Sequence, residues 1–292
     1  MRPGPAAAVS VLENYVDIDS PPMSAAALLR TIIIGEGWAE GEEASEQAER
    51  WSKNFLERSR TFLNRAVEDG AYQHYGFNSG NEDYLQGSCF CEPGDNADVV
   101  KAKRRRANTL KLYHAVSERT ADDLELLCIK LLHLLGVSKP HGTPRSGDGG
   151  VDFYGYSHFG FVLKPEILPA GAEKHMRVWF VGQAKHYDAS QVSTKDIREI
   201  VGSVSLARAK LFAGEKDPMK RFSARLCEPV FSMFVTTGRF SRDSKDLMKK
   251  SGIIPMDGPQ LGQFLADNGI GLNEDVFEQE AFDSWIADVE DL

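Results

Sequence analysis

The feature that most constrains this chain is a pair of short segments that place polar chemistry where a core strand normally carries none. Val178-Trp-Phe-Val-Gly-Gln-Ala-Lys185 is a strongly apolar strand that ends in Gln183 and Lys185. Period-two alternation puts these two side chains on one face. Upstream, Ser146-Gly-Asp-Gly-Gly-Val-Asp152 sets Asp148 and Asp152 around a glycine turn that leads into another strand. A carboxylate from that neighbouring strand then faces the same way as Gln183 and Lys185.

The surrounding pattern gives an α/β order. Thr120-Ala-Asp-Asp123 has the form of a capping box, and Leu124 to Leu135 follow as a helix apolar on most faces. Val151 to Tyr156, Phe159 to Leu163 and Met176 to Lys185 read as strands. Ser193-x-x-Asp196 opens an amphipathic helix with Ile197, Ile200, Val201, Val204 and Leu211 on its inner side. Pro229 to Thr236 is a strand, Ser241 to Lys250 a helix, Gly252 to Met256 a short strand and Pro259 to Asp267 a helix. The expected fold is a mixed sheet with helices on both faces.

Asp152, the Gln183 side-chain oxygen and the Ala184 backbone carbonyl form an oxygen donor set that suits Mg²⁺ or Mn²⁺. Lys185 stands beside them to orient a water or offset developing negative charge. An amide in place of an acid removes one negative charge, so weaker metal affinity is expected.

In this order the motifs resemble the Mrr-like branch of the restriction endonuclease (PD-(D/E)xK nuclease) superfamily. That resemblance implies a restriction-endonuclease-like α/β fold and a metal-dependent DNA endonuclease that hydrolyses phosphodiester bonds, with a restriction or anti-phage defence role. It implies catalytic residues Glu125, Asp152, Gln183 and Lys185, with metal held by Asp152, Gln183 and Ala184. Glu125 falls where the family keeps a glutamate on its leading helix; an acid this near a helix start is also favoured by the helix dipole alone. Phe234-Val-Thr-Thr-Gly-Arg-Phe-Ser241 and Ile254-Pro-Met-Asp-Gly258 resemble the family's later segments. The thirty residues between Asp152 and Gln183 exceed the family's compact hairpin and point to an insert around Lys164 to Ala172.

Alternatives stay open at several positions. The Gly-Asp-Gly-Gly turn and the Gln183/Lys185 strand end each have a purely structural reading. Candidate nucleic-acid contacts are Arg145, His186, Lys103, Arg104 and Arg105. His186 reads equally as a structural histidine, and the Lys101 to Arg106 run as a solvated surface or linker. A structure-selective or RNA-cutting nuclease, or a silent binding module, shares the same motifs.

The chain of 292 residues carries a net charge of −9. Residues 1–118 hold 13 basic and 18 acidic side chains, 119–272 hold 21 and 17, and 273–292 hold 0 and 8. The middle segment is basic between acidic flanks, which suits a local nucleic-acid surface. These segments are read as a mainly helical N-terminal region for substrate or partner-protein recognition, a nuclease domain, and an acidic amphipathic C-terminal helix. In the last, Val276, Phe277, Phe282, Trp285, Ile286 and Val289 form an apolar stripe that docks on the protein or also restrains the basic face. Four cysteines without zinc spacing read as reduced thiols. No run has membrane-span length, so a cytoplasmic location is expected. A homodimer or higher oligomer is expected.

Overall fold

In the computed structural model, the described residues are 2–137, 139–143, 150–158, 176–187, 191–211 and 217–288. They fall into two compact units, Met1–Asn108 and Thr109–Leu292.

In the first unit, α1 (Pro5–Val11), β1 (Met23–Ser24), α2 (Ala25–Gly35) and α3 (Gly41–Glu68) precede β2 (Tyr75–Phe77), β3 (Tyr84–Gly87) and α4 (Ala97–Arg106). The strands pair antiparallel in the order β1-β3-β2. Ser24 caps α2 by accepting the Ala27 N–H. Leu28, Leu29, Ile32 and Ile33 of α2 are buried with Ala44, Ala48 and Phe55 of α3 in one core. The small side chains at 44 and 48 let the two helices approach closely. Lys101 to Arg106, open to a linker reading from sequence, instead form the C-terminal part of α4, where four basic residues in the last turn suit the helix dipole.

The second unit runs α5 (Thr109–Ser117), α6 (Ala121–Leu134), β4 (His141–Gly142), β5 (Phe153–His158), β6 (Arg177–Lys185), β7 (Gln191–Val192), α7 (Thr194–Arg208), β8 (Val230–Thr236) and β9 (Arg239–Phe240). It ends in α8 (Arg242–Ser251), β10 (Ile254–Met256), α9 (Gly258–Asp267), β11 (Leu272–Asn273), β12 (Val276–Phe277) and α10 (Gln279–Ala287). The main sheet has the order β10-β8-β6-β5-β4. β6, β8 and β10 are parallel, whereas β4 and β5 join antiparallel, so the sheet is mixed. One core gathers α5, α6, α9 and α10 around Phe153, Met233 and Val235. The other gathers α7 and α8 around Tyr154, Trp179, Val181 and Phe234. β6 is central and covered on both faces, which explains its near-continuous apolar sequence.

Three expectations change. The inner stripe of α7 is Ile197, Ile200, Val204 and Ala207, while Val201 is 43% and Leu211 60% exposed, because the helix stops at Arg208 and Val201 lies off the stripe. The C-terminal helix begins only at Gln279. Before it, Glu274 and Asp275 take left-handed φ values of 48° and 64° and close a two-residue hairpin between β11 and β12, leaving Val276 exposed. The compact second unit also starts before residue 119, since Leu112, Ala115 and Val116 of α5 are part of its core. The strand expected at Phe159 to Leu163, the insert around Lys164 to Ala172 and Val289 lie outside the described residues.

Candidate functional site

The C-terminal end of β6 is where the polar residues collect. β6 and β8 stay in register through Gln183↔Phe234, Ala184↔Val235 and Lys185↔Thr236. The antiparallel partner β5 stops earlier, at Phe153↔Gly182, and the next ladder bond runs from the Asp152 N–H to the Gly182 carbonyl at 2.9 Å. At the following rung a side chain replaces the strand: Asp152 Oδ2 accepts the Ala184 N–H at 2.7 Å. Strand geometry turns the Ala184 carbonyl to the same edge as its N–H. That edge therefore presents one carboxylate and one backbone oxygen side by side.

Gln183 and Lys185 share the face of Trp179 and Val181, as alternation requires. Gln183 is 2% exposed, and its Oε1 has no hydrogen-bond partner among the described residues. A buried amide oxygen left without a donor costs about 1–3 kcal/mol. Asp152 is also buried, at 8% exposure. Gly150 sits against Gln183 with φ 77°; a Cβ there would stand 2.7 Å from Ser203 Oγ on α7 and 3.7 Å from Gln183 Nε2. Glycine at this place thus serves both the turn and the close approach of α7.

Glu125 reaches the same neighbourhood from α6. The thiol of Cys128, one turn further along α6, is buried and pushed well above its ordinary range, first by burial and then by the charges of Asp152 and Glu125. The two carboxylates thus act on one buried point between α6 and β5.

Lys185 faces a counter-charge that sequence reasoning assigned only to a helix cap. Burial would raise the Asp196 carboxyl, but hydrogen bonds from Ser193 and Tyr187 and the charge of Lys185 outweigh it and hold it below the usual range. The strand end is clamped by two threonines. Thr236 Oγ1 donates to the Lys185 carbonyl at 2.8 Å, and Thr237 Oγ1 both donates to the Tyr187 carbonyl at 3.1 Å and accepts the Tyr187 N–H at 2.9 Å. The Thr-Thr pair after an apolar strand was the available sequence signal. Gly258 completes the support, since a Cβ there would meet the Tyr113 ring at 2.2 Å and the Thr237 carbonyl at 2.5 Å.

Residues 116–212 match the family model described as restriction endonuclease, Mrr_cat. By that match this segment is similar to the Mrr_cat restriction endonuclease family. It contains Glu125, Asp152, Gln183 and Lys185. The matched segment lies within the second unit. Among solved structures, the chain is similar to the MspJI restriction endonuclease in complex with a 27-mer oligonucleotide, at 19% identity and TM-score 0.38, covering 70% of this chain and 40% of that one. It is similar to the DNA modification-dependent restriction endonuclease AspBHI at 14% identity and TM-score 0.39, covering 72% and 46%. It is also similar to the restriction endonuclease FokI bound to DNA at 11% identity and TM-score 0.34, covering 91% and 44%. The chain thus spans less than half the length of each of these proteins. The curated proteins contain no match.

The remaining expected contacts divide by unit. In the second unit the His186 ring lies 3.1 Å from the Ser117 carbonyl and links the end of β6 to the end of α5. Arg145 and Asp148 lie outside the described residues. In the first unit Lys103 is engaged, pairing with Asp95 at 2.7 Å and donating to the Phe90 carbonyl at 2.8 Å. Arg104 is exposed on α4 and Arg105 is half-buried. Among the described residues no three His, Cys, Asp or Glu cluster as a metal site, and no helix is long and apolar enough to cross a membrane. Cys89 and Cys128 are buried free thiols, Cys91 and Cys227 exposed ones.

Proposed function

We propose that this protein is a divalent-metal-dependent DNA endonuclease whose site is the end of β6, acting in restriction or antiviral defence. The observation that carries the reading is the buried, unpartnered Gln183 Oε1 beside the buried Asp152 carboxylate. Hard oxygen donors of this kind fit Mg²⁺ or Mn²⁺, which keep several waters and need few protein ligands. Asp152, Gln183 and the Ala184 carbonyl would hold the ion. When bound, it would polarise the phosphoryl oxygen and make its water more acidic.

The chain's own groups do the rest. The Ala184 N–H fixes one Asp152 oxygen and so orients the carboxylate at the strand end. Lys185, with the Asp196 carboxylate as a nearby counter-charge, donates to the attacking water or to a phosphoryl oxygen as negative charge builds. Glu125 adds a second carboxylate near Asp152. The first unit selects the substrate, which the acidic balance of residues 1–118 makes a matter of a small contact surface or a protein partner rather than broad phosphate binding.

The test is plasmid cleavage by the purified protein across Mg²⁺, Mn²⁺ and Ca²⁺, with and without chelator. Nicking or cutting with Mg²⁺ or Mn²⁺ that stops on chelation is expected. Equal cleavage in chelator contradicts the metal mechanism, and cleavage of RNA alone contradicts the DNA assignment.

A further inference from the structure

A second polar site lies on the edge of the nuclease sheet, apart from the Gln183 and Lys185 strand end. A cleft of about 440 Å³ is walled by Ile129 of α6, His141 of β4, Tyr154 of β5 and the segment Asp217 to Arg221. Its charges are unbalanced. Asp217 is the acid on its wall, and that carboxylate already takes Lys210 at 3.2 Å and the Met219 N–H at 2.8 Å. Lys220 and Arg221 are exposed and make no ion pair with a carboxylate among the described residues.

The cleft is built rather than incidental. Met219 and Phe222 are buried at 0% and 1% exposure, so they pin both ends of the turn that presents Lys220 and Arg221. Tyr154 packs edge-on against both His141 and Phe222, with ring centroids 5.6 and 6.3 Å away. Arg221 Nη1 lies 3.3 Å from both ring nitrogens of His141, which places the guanidinium against the ring rather than on one lone pair. Two exposed cations on one wall, neither paired with a carboxylate among the described residues, leave a local positive field that attracts an anion. The His141 imidazole responds to that field: burial first, then the charges of Arg221 and Lys139, hold it below its ordinary range.

We infer that this cleft binds a non-reacting phosphodiester of the nucleic-acid substrate, with Lys220 and Arg221 as its ligands and His141 beside them. Tyr154 lies two residues beyond Asp152 on β5, roughly 6–7 Å of strand. With one phosphate per about 3.4 Å of axis on each strand, that is the reach of a nearby, non-reacting group. The inference rests on the nuclease reading above, and it adds a contact that positions the substrate without touching the reacting atoms.

The experiment compares wild type with the Lys220→Ala/Arg221→Ala double variant and with Lys220→Ala alone, both exposed changes, after melting curves establish folding. Duplex DNA affinity is measured in Ca²⁺ over a salt series, and cleavage in Mg²⁺ gives KM and kcat. The double variant should bind about 10-fold more weakly, lower the log–log salt slope by roughly 2 and raise KM while leaving kcat unchanged. His141 ring-proton resonances should shift when a short duplex is added to wild type, and not in the double variant. If wild type binds DNA but the double variant keeps its affinity and slope, the cleft has no such role and the nuclease reading stands. If wild type neither binds nor cuts DNA, both fall together.

Discussion

The two ends of β6 hold a buried acid each, and the polar groups around the two acids are served differently. At the first end, Glu228 receives the Arg177 Nε at 2.8 Å, the Trp179 indole N–H at 3.0 Å, the Arg225 N–H at 2.9 Å and the Arg225 Nε at 2.7 Å. Burial alone would raise this carboxyl, but those donors hold it near 2. At the other end, Asp152 takes the Ala184 N–H, and the neighbouring Gln183 oxygen takes nothing among the described residues. A polar group surrounded by donors locks a strand in place; one left short of donors is kept ready for something that arrives later. The first end is therefore read as structure and the second as site.

The largest expected effect separates the two ends by activity. Lys185→Ala and Asp152→Asn should each lower cleavage by 10²-fold or more, roughly what one aimed electrostatic group contributes. Asparagine keeps an acceptor for the Ala184 N–H, so melting should hardly move, and most DNA affinity should remain because many contacts share it. Near wild-type cutting by either variant would displace the site from this strand end.

Glu228→Gln should do the reverse, leaving kcat unchanged while lowering stability by about 1.5–3 kcal/mol, the range for a hydrogen bond to a charged group, since Arg177 and Arg225 keep contact with solvent. The pH dependence has a definite sign. The folded carboxyl is depressed from its ordinary 4.5 to about 2, so its contribution is complete above about 4.5 and is lost as pH falls toward 2. Denaturant melts of both proteins from pH 7 to 2 should converge at the acid end. A constant gap would mean Glu228 acts by shape and not by charge.

Much of this contrast was legible in the sequence, because apolar periodicity and strand-end polarity are local signals. β6, β8, α6, α7 and the shared face of Gln183 and Lys185 follow from alternation and capping alone. Glu228 was not visible: its meaning depends on Arg177 and Trp179, about fifty residues away in the chain. Asp196 was seen as a cap, and the effect of the Lys185 charge on it needed the register of β6 against α7. The tail was half legible. Phe282 and Ile286 do bury a helical stripe, but the left-handed turn at Glu274 and Asp275 turned its first part into a hairpin, a choice that side-chain periodicity cannot reveal.

A smaller effect sharpens the contrast. Gln183→Glu gives the site a second carboxylate, so the Mg²⁺ concentration for half-maximal cleavage should fall, on the order of 10-fold. A midpoint that stays or rises would mean Gln183 does not hold the ion.

The central claim, that the strand end holding Asp152 and the Gln183 oxygen takes a divalent cation, is tested most directly by titrating Mn²⁺ into DNA-free protein and reading bound ion by electron paramagnetic resonance. The account predicts a saturable site in wild type, tightened in Gln183→Glu, lost in Asp152→Asn and unchanged in Glu228→Gln. Equal Mn²⁺ binding by wild type and Asp152→Asn would contradict it.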